Sequence, residues 1–203
     1  LKEISQFYDK QISKFGINSK GANWKSKKEQ DIRFKYLLKL IEYKKKKITV
    51  ADLGCGYGAL LEYMIKNNFN ISSYYGYDIS KAMIKKCKER FDSDLNFSFK
   101  LKNKVDKKVD FCFSSGIFNV KQNYKTSFWK KNILESLHNL NKYSANGFAF
   151  NCLTNMVDWR VKECFYGSST FFYDYCLKNF SKKIILYHDM PLYEWTMIIK
   201  KCK

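Results

Sequence analysis

A glycine-rich turn between an apolar strand pattern and an apolar helix pattern constrains the fold of this 203-residue chain most strongly. The turn reads Gly-Cys-Gly-Tyr-Gly at residues 54–58, directly after the run Ile-Thr-Val-Ala-Asp-Leu at 48–53. A short apolar run rich in branched residues is typical of a strand buried on both faces. Glycines allow the backbone to turn sharply and to lie close to a ligand. The segment therefore predicts a strand–turn–helix unit with a ligand at the turn.

Strand and helix patterns alternate along most of the chain. Ser26 and Glu29 form a capping box, which is followed by apolar residues at helical spacing. Strand patterns then recur along the chain up to residue 199. The predicted helices are 26–43, a segment after Gly58, a segment after Ser80, 128–140 and 170–179. The predicted strands are 48–53, 72–77, 95–99, 109–113, 147–152, 183–188 and 193–199.

The alternation predicts an α/β fold, a Rossmann-like doubly wound sheet of seven mostly parallel strands. The last two strands are too close in sequence for a crossover helix, so we expect them to form an antiparallel hairpin with a tight turn at Pro191. The last strand is therefore expected to be antiparallel to the rest.

Two carboxylates flank the glycine turn in sequence and suggest what binds there. Asp78 ends the second predicted strand, about 20 residues after the turn, where a carboxylate accepts hydrogen bonds from ribose hydroxyls. Residues 54–59 also fit the dinucleotide pattern G-x-G-x-x-A. Asp52, just before the first glycine, would crowd a pyrophosphate but suits an ammonium group. The pattern therefore favours S-adenosylmethionine over NAD.

The formal net charge of +19 points first to nucleic acid. Lysine supplies nearly all of the positive charge, since arginine occurs only at positions 33, 90 and 160. Proteins that read nucleic acids favour arginine for bidentate contacts, so the lysine-rich composition argues against a nucleic-acid partner. We therefore expect the lysine runs 44–47 and 182–183 to be solvated faces. No apolar run reaches about 18 residues, so we expect no membrane-spanning helix.

Cysteine usage indicates the redox compartment. The chain has seven cysteines, an odd number, and no CxxC pair, so neither a zinc site nor a thioredoxin motif is predicted. Buried, reduced thiols in a cytoplasmic protein are the expectation, with no metal. The cysteines are Cys55, Cys87, Cys112, Cys152, Cys164, Cys176 and Cys202.

From about Thr49 to Lys200 the chain resembles the class I S-adenosylmethionine-dependent methyltransferases. The acid-Leu-Gly-x-Gly-x-Gly string at 52–58, Asp78 and the closing hairpin carry the resemblance. Four further stretches resemble a little-characterised bacterial group of these enzymes. They are 23–34, 115–120, 147–154 and 188–194.

The resemblance implies a cofactor site. It places Gly54, Gly56 and Gly58, with Cys55 among them, at the methionine end of S-adenosylmethionine. Asp78 would bind the ribose and Ile79 would pack on the adenine. Residues 99–103 lack the acid that often binds the adenine amino group, and Asn103 is the available substitute. The resemblance also places three residues at the end of the fourth strand beside the sulfonium: Ser114, Ser115 and Gly116.

An N-terminal helical lid (1–45) is expected to cover this site. In it, Arg33 is expected to pair with the methionine carboxylate and Trp24 to stack on cofactor or substrate. Tyr8 of the same lid is a candidate catalytic residue. His188 is the candidate general base. Asn119 and Asn151, at strand ends, are candidates to orient the methyl acceptor.

We therefore predict a single domain, 1–203, with the cofactor half at 48–152 and a substrate-side insert and hairpin at 153–203. The expected reaction is methyl transfer to a small polar acceptor, either a metabolite or a sugar or lipid intermediate. RNA is the alternative acceptor, and an NAD-dependent oxidoreductase or a non-catalytic binding module is less expected. Residues 114–118 lack the proline turn of DNA amino-methylating enzymes, which argues against DNA.

Overall fold

A computed structural model describes residues 1–43, 45–91 and 95–201. The helices are α1 (Lys2–Phe15), α2 (Lys27–Leu37), α3 (Ala59–Lys66), α4 (Lys81–Phe91), α5 (Thr126–Tyr143) and α6 (Ser169–Asn179). The strands are β1 (Ile48–Leu53), β2 (Ile71–Asp78), β3 (Phe97–Leu101), β4 (Val109–Ser114), β5 (Ser144–Thr154), β6 (Tyr166–Gly167), β7 (Lys183–Tyr187) and β8 (Glu194–Lys200). Single 3₁₀ turns follow α1 and α2, at Lys20–Ala22 and Leu38–Leu40.

The strands form one sheet in the order β3-β2-β1-β4-β5-β8-β7, and the two-residue β6 pairs with the end of β5. β1 to β5 are parallel, whereas β8 runs antiparallel between β5 and β7. The predicted α/β architecture, with a mostly parallel sheet and an antiparallel last strand, is therefore confirmed. The strand order reverses between β1 and β4, so a crevice opens at their carboxyl ends.

Two apolar layers cover the sheet. One face packs against α2, α3 and α4 through side chains such as Leu37, Leu61 and Cys87. The other face packs against α5 and α6 through Ile133, Phe172 and their neighbours. Because both faces are covered, the central strand β1 is buried along almost its whole length rather than at alternate positions, as its sequence indicated.

Several predicted boundaries were wrong by a few residues. The helix expected over 26–43 ends as α-helix at Leu37, because Ile41 turns to an extended conformation and enters the core. The strand expected at 95–99 lies at Phe97–Leu101, with Leu95 fully exposed before it. The hairpin turn at Pro191 is a longer connection, 188–193, between β7 and β8.

Charged and thiol residues follow their predicted environments. Lysines 45–47 and 182–183 are exposed, whereas Lys44 lies outside the described residues. Five of the six described cysteines are buried free thiols and Cys164 is half-buried; Cys202 also lies outside the described part. In the ranges given above, no helix is long and apolar enough to span a membrane.

Trp195 tests the contribution of the core beside β5. It is 0% exposed, packs on Phe150 and Phe172, and donates its indole N–H to the Gly167 carbonyl at 2.9 Å. We expect Trp195→Ala to lower the free energy of unfolding by about 3–5 kcal/mol in urea titrations, because it leaves a large cavity and an unpaired carbonyl.

Trp159 provides the matched control, since its side chain is 52% exposed. Trp159→Ala should change the free energy of unfolding by less than about 0.5 kcal/mol. Equal losses for the two variants would contradict the packing argument.

Candidate functional site

The glycine turn is fastened to the end of β2. The N–H groups of Gly54 and Cys55 both donate to the Tyr77 carbonyl, at 2.7 and 3.0 Å. Gly54 has φ 83°, and a Cβ on it would lie 1.9 Å from Cγ2 of Ile117. Only glycine fits here, because the left-handed backbone and the close approach of Ile117 both exclude a side chain.

Asp78 is fixed beside this turn. Its carboxylate accepts the Gly56 N–H at 2.9 Å and the Ser80 N–H at 2.8 Å. Burial raises the pKa of Asp78, while these two N–H donors act in the opposite direction. The carboxylate is therefore held in one orientation at the end of β2. Ser80 is itself fixed, because its hydroxyl oxygen caps α4 by accepting the Met83 N–H at 3.1 Å.

A central cleft opens to solvent where the carboxyl ends of β1, β2 and β4 meet. Its polar wall contains Asp78, Asn103 and Ser115, and its apolar wall contains Ile79 and Met83. Most of the predicted cofactor residues thus lie around one cavity. Its other lining residues include Tyr8, Trp24, Leu53, Gly54, Gly56, Lys102, Gly116 and Ile117.

A side cleft adjoins the central cleft. The two share Tyr8, Ala22, Trp24 and Gly116 as common wall. The side cleft is rich in aromatic rings and also bears charged groups. Its lining includes Lys25, Glu29, Arg33, Asn119, Trp159, Tyr166, Tyr193 and Glu194.

Asp52 lines a small cavity behind the glycine turn, together with Cys55, Gly56 and Ser115. It is 2% exposed; one carboxylate oxygen accepts from the Tyr74 hydroxyl, and Oδ1 has no hydrogen-bond partner among the described residues. Burial raises the pKa of Asp52 to about 7, against the lowering effect of the Tyr74 hydroxyl. Burying a carboxylate oxygen without a hydrogen bond costs free energy, so a hydrogen-bond donor on a ligand would be stabilised beside it.

Arg33 is directed to Glu194 and not to the central cleft. Its Nε donates to both Glu194 oxygens at 3.0 Å and its Nη2 to Oε1 at 2.8 Å. Its guanidinium lies 4.0 Å from the centre of the Trp24 ring. Because Glu194 takes these donors, we do not retain the expected pairing of Arg33 with a methionine carboxylate.

The two candidate asparagines also converge on Glu194. Asn119 and Asn151 donate to its two oxygens at 3.1 and 3.2 Å. The amide oxygen of Asn151 accepts the Gly116 N–H at 2.7 Å, and that of Asn119 accepts the Leu153 N–H at 2.9 Å. Both amides are thus engaged in the protein, which leaves them little capacity to orient an acceptor directly.

Sequence reasoning missed Glu194, the centre of this network. It is 1% exposed at the start of β8. The available signal was a carboxylate opening an otherwise apolar strand, Glu-Trp-Thr-Met-Ile-Ile. A buried acid in such a run requires a cationic partner, and arginine is the residue best suited to the role.

Tyr8, on α1, lines both clefts. Burial and the charge of Asp78 raise its pKa, so the phenol stays protonated at neutral pH. Trp24 lies against Gly116, where a Cβ would be 2.2 Å from Cη2 of the indole. Trp24 therefore forms the partition between the clefts, with one side of its ring occupied by Arg33.

Three predicted site residues line neither of the two clefts nor the small cavity beside Asp52, and they stand outside the Glu194 network. His188 is exposed, with Nε2 3.1 Å from the Thr154 hydroxyl, and lines neither cleft, so its expected role as general base lacks the required proximity. Ser114 is fully buried below them. Gly58 precedes α3 and faces Phe91 and Cys87, so its role is in packing.

Similar proteins are known. A family described as "Methyltransferase domain" matches residues 44–149. A protein of Mycobacterium tuberculosis named as a methyltransferase, Rv1506c, is 36% identical over 155 residues, which cover 75% of this chain and 93% of the relative.

Solved structures show the same fold at low sequence identity. DhpI in complex with SAH has a TM-score of 0.67 and 13% identity, covering 99% of this chain and 97% of its own. Magnesium protoporphyrin IX methyltransferase of Synechocystis PCC 6803, with bound SAH, has a TM-score of 0.60 and 15% identity, covering 96% and 100%.

Asp52 generates a test of pH-dependent stability. A carboxyl whose pKa is raised on folding binds its proton more tightly when folded, so its contribution to stability falls as pH rises from about 4 to about 7. Between about pH 5 and pH 8 the free energy of unfolding of the wild type should fall by about 2 kcal/mol, whereas that of Asp52→Asn should lack this decrease. Urea unfolding at each pH measures both.

Asp158→Asn is the control, because Asp158 is exposed. It should reproduce the wild-type pH profile. A profile for Asp52→Asn that parallels the wild type would show that Asp52 titrates normally.

Proposed function

This chain belongs to the methyltransferase domain family and has the fold of the class I S-adenosylmethionine-dependent methyltransferases, and we propose that it transfers a methyl group to a small polar acceptor bound in the side cleft. The predicted family and fold are thereby confirmed. The observation that carries the proposal is that the two clefts meet at Tyr8, Trp24 and Gly116, so a donor and an acceptor would lie side by side.

The central cleft fits S-adenosylmethionine. The fixed carboxylate of Asp78 suits the ribose hydroxyls, and Ile79 and Met83 offer apolar surface to an adenine. Asn103 replaces the missing acid as the polar group for the adenine amino group. The unpartnered oxygen of Asp52, with the unpartnered Ser115 hydroxyl near it, suits the ammonium of the methionine end.

When bound, S-adenosylmethionine would supply a methyl group activated on a sulfonium, which a nucleophile attacks in line with the carbon–sulfur bond that breaks. The protein's contribution is then alignment, which removes around 7–11 kcal/mol of the barrier in well-oriented reactions. The Arg33–Glu194 network fixes Trp24 and Gly116, which line both clefts beside the place where the two molecules would meet. Tyr8, which stays protonated, donates a hydrogen bond to the acceptor rather than removing its proton.

The lining of the side cleft supports a small acceptor over RNA. Arg33 is neutralised by Glu194, and Glu29 lies on the same wall as Lys25, so this cleft has no strong positive field for phosphates. Trp159, Tyr166 and Tyr193 give ring faces for a compact molecule with some apolar surface. NAD is disfavoured because Asp52 leaves a buried carboxyl where a pyrophosphate would lie.

Asp78→Ala tests the cofactor site. The wild type should gain thermal stability with S-adenosylhomocysteine in proportion to its saturation, about 2.7 kcal/mol at a hundredfold excess over Kd, whereas Asp78→Ala should lose this gain. Differential scanning fluorimetry measures the shift in Tm.

Asp189→Ala, an exposed carboxylate outside both clefts, should keep the full shift. Stabilisation by NAD(H) in place of S-adenosylhomocysteine would overturn methyl transfer as the activity. An unaltered shift in Asp78→Ala would refute the assigned role of that residue.

Trp159 tests the acceptor cleft, since it lines the side cleft and is absent from the lining of the central cleft. A small-molecule extract incubated with methyl-labelled S-adenosylmethionine should yield a labelled product of low molecular mass. For that acceptor, Trp159→Ala should raise KM about tenfold, with KM for S-adenosylmethionine unchanged.

Phe128→Ala is the matched control, because Phe128 is a similarly exposed aromatic residue on α5. It should alter neither KM. Label that accumulates in an RNA fraction instead would refute the small acceptor.

A further inference from the structure

A second groove lies at the amino edge of the sheet, opposite the clefts. It is open to solvent and is lined by residues from the segment before β1, from β4 and β5, from the start of β7 and from the end of β8. Its polar lining includes Tyr43, Lys46, Asp110, Lys183, Lys200 and Lys201. Nothing in the methyl-transfer chemistry uses this edge.

The topology concentrates lysines around this groove. Residues 45–47 precede β1, residues 107–108 precede β4, and Lys142 ends α5 just before β5. Lys182 precedes β7 and Lys183 is its first residue. Because β8 is antiparallel, residues 200–201 at its end reach the same edge, where Lys200 pairs in register with Lys183 and with Gly147 of β5. Ten lysines from five separate segments thus share one edge.

The two carboxylates of the groove do not cancel this charge. Glu42 is bound to Lys200 at 2.6 Å. Asp110 accepts the backbone N–H and the hydroxyl of Thr49, each at 2.8 Å, and an amide N–H of Asn146 at 3.2 Å. Lys201 is half-buried and donates to the carbonyls of Asn141 and Ser144. The other eight lysines are exposed and, within the described part of the chain, have no carboxylate partner in the groove, so the edge has a strong positive potential.

We propose that this basic groove binds single-stranded RNA through its phosphates, as a docking surface separate from the catalytic clefts. Lysine is a compact point charge suited to phosphate contacts, whereas base reading would favour arginine. The ring of Tyr43, which is 73% exposed in the groove lining, offers a face on which a base stacks. A concave basic surface with an exposed aromatic ring fits a strand better than a flat bilayer.

The test compares two triple variants of equal net charge. Lys46→Glu, Lys108→Glu and Lys183→Glu reverse the basic edge, and Lys81→Glu, Lys85→Glu and Lys88→Glu reverse exposed lysines of α4. Binding of a fluorescein-labelled, mixed-sequence single-stranded RNA is followed by anisotropy at several salt concentrations. The edge variant should bind at least about tenfold more weakly, with the slope of log K against log salt reduced by about 2.

The α4 variant should retain wild-type RNA affinity, and both variants should keep the thermal shift with S-adenosylhomocysteine, which shows that they fold. Saturating S-adenosylhomocysteine should leave RNA affinity unchanged, because the groove and the clefts lie at opposite edges. Equal losses in the two variants would mean that net charge alone binds RNA and would overturn the proposal. Wild-type binding to phosphatidylglycerol vesicles without RNA binding at about 150 mM salt would assign the groove to lipid instead.

Discussion

The buried ion pair between Arg33 and Glu194 joins the parts of the molecule that form the clefts. Two charges removed from water carry a desolvation penalty that only good geometry and additional hydrogen bonds offset. Here Glu194 receives three contacts from Arg33 and one from each of two asparagines. Glu194 therefore has the partners that make a buried carboxylate tolerable, and the ion pair fixes α2 against the start of β8. On the arginine side, Nη1 has no hydrogen-bond partner among the described residues and lies 3.8 Å from the Glu29 carboxylate.

This network also determines where the partition between the clefts lies. Asn151 connects Glu194 to the backbone of Gly116, and Arg33 connects it to the ring of Trp24. Trp24 and Gly116 are in turn in direct contact. A buried charge pair thus positions two residues of the wall that both clefts share, and fixed wall residues allow a donor and an acceptor to be held in one alignment.

The central cleft could be predicted from sequence because its information is local. The glycine turn, Asp52 and Asp78 occupy strand–turn positions within one stretch of chain, and the backbone geometry follows from residue type. The Glu194 network could not be predicted, since its members are up to 161 positions apart and meet only through the sheet order. Arg33, Asn119 and Asn151 were singled out as polar residues in suggestive places, but their common partner depends on β8 inserting beside β5.

The same limit applies to charge. Composition alone gives +19 and a lysine excess, which a solvated surface explains as well as a binding site does. Sheet topology sorts part of this charge: Asp52, Asp78 and Glu194 lie at the edge formed by the carboxyl ends of the parallel strands, whereas the ten lysines around the basic groove lie at the opposite edge. A cationic sulfonium is favoured near carboxylates and disfavoured near ammonium groups. The separation therefore keeps one end of the sheet compatible with methyl transfer, while the other accumulates positive charge without affecting that chemistry.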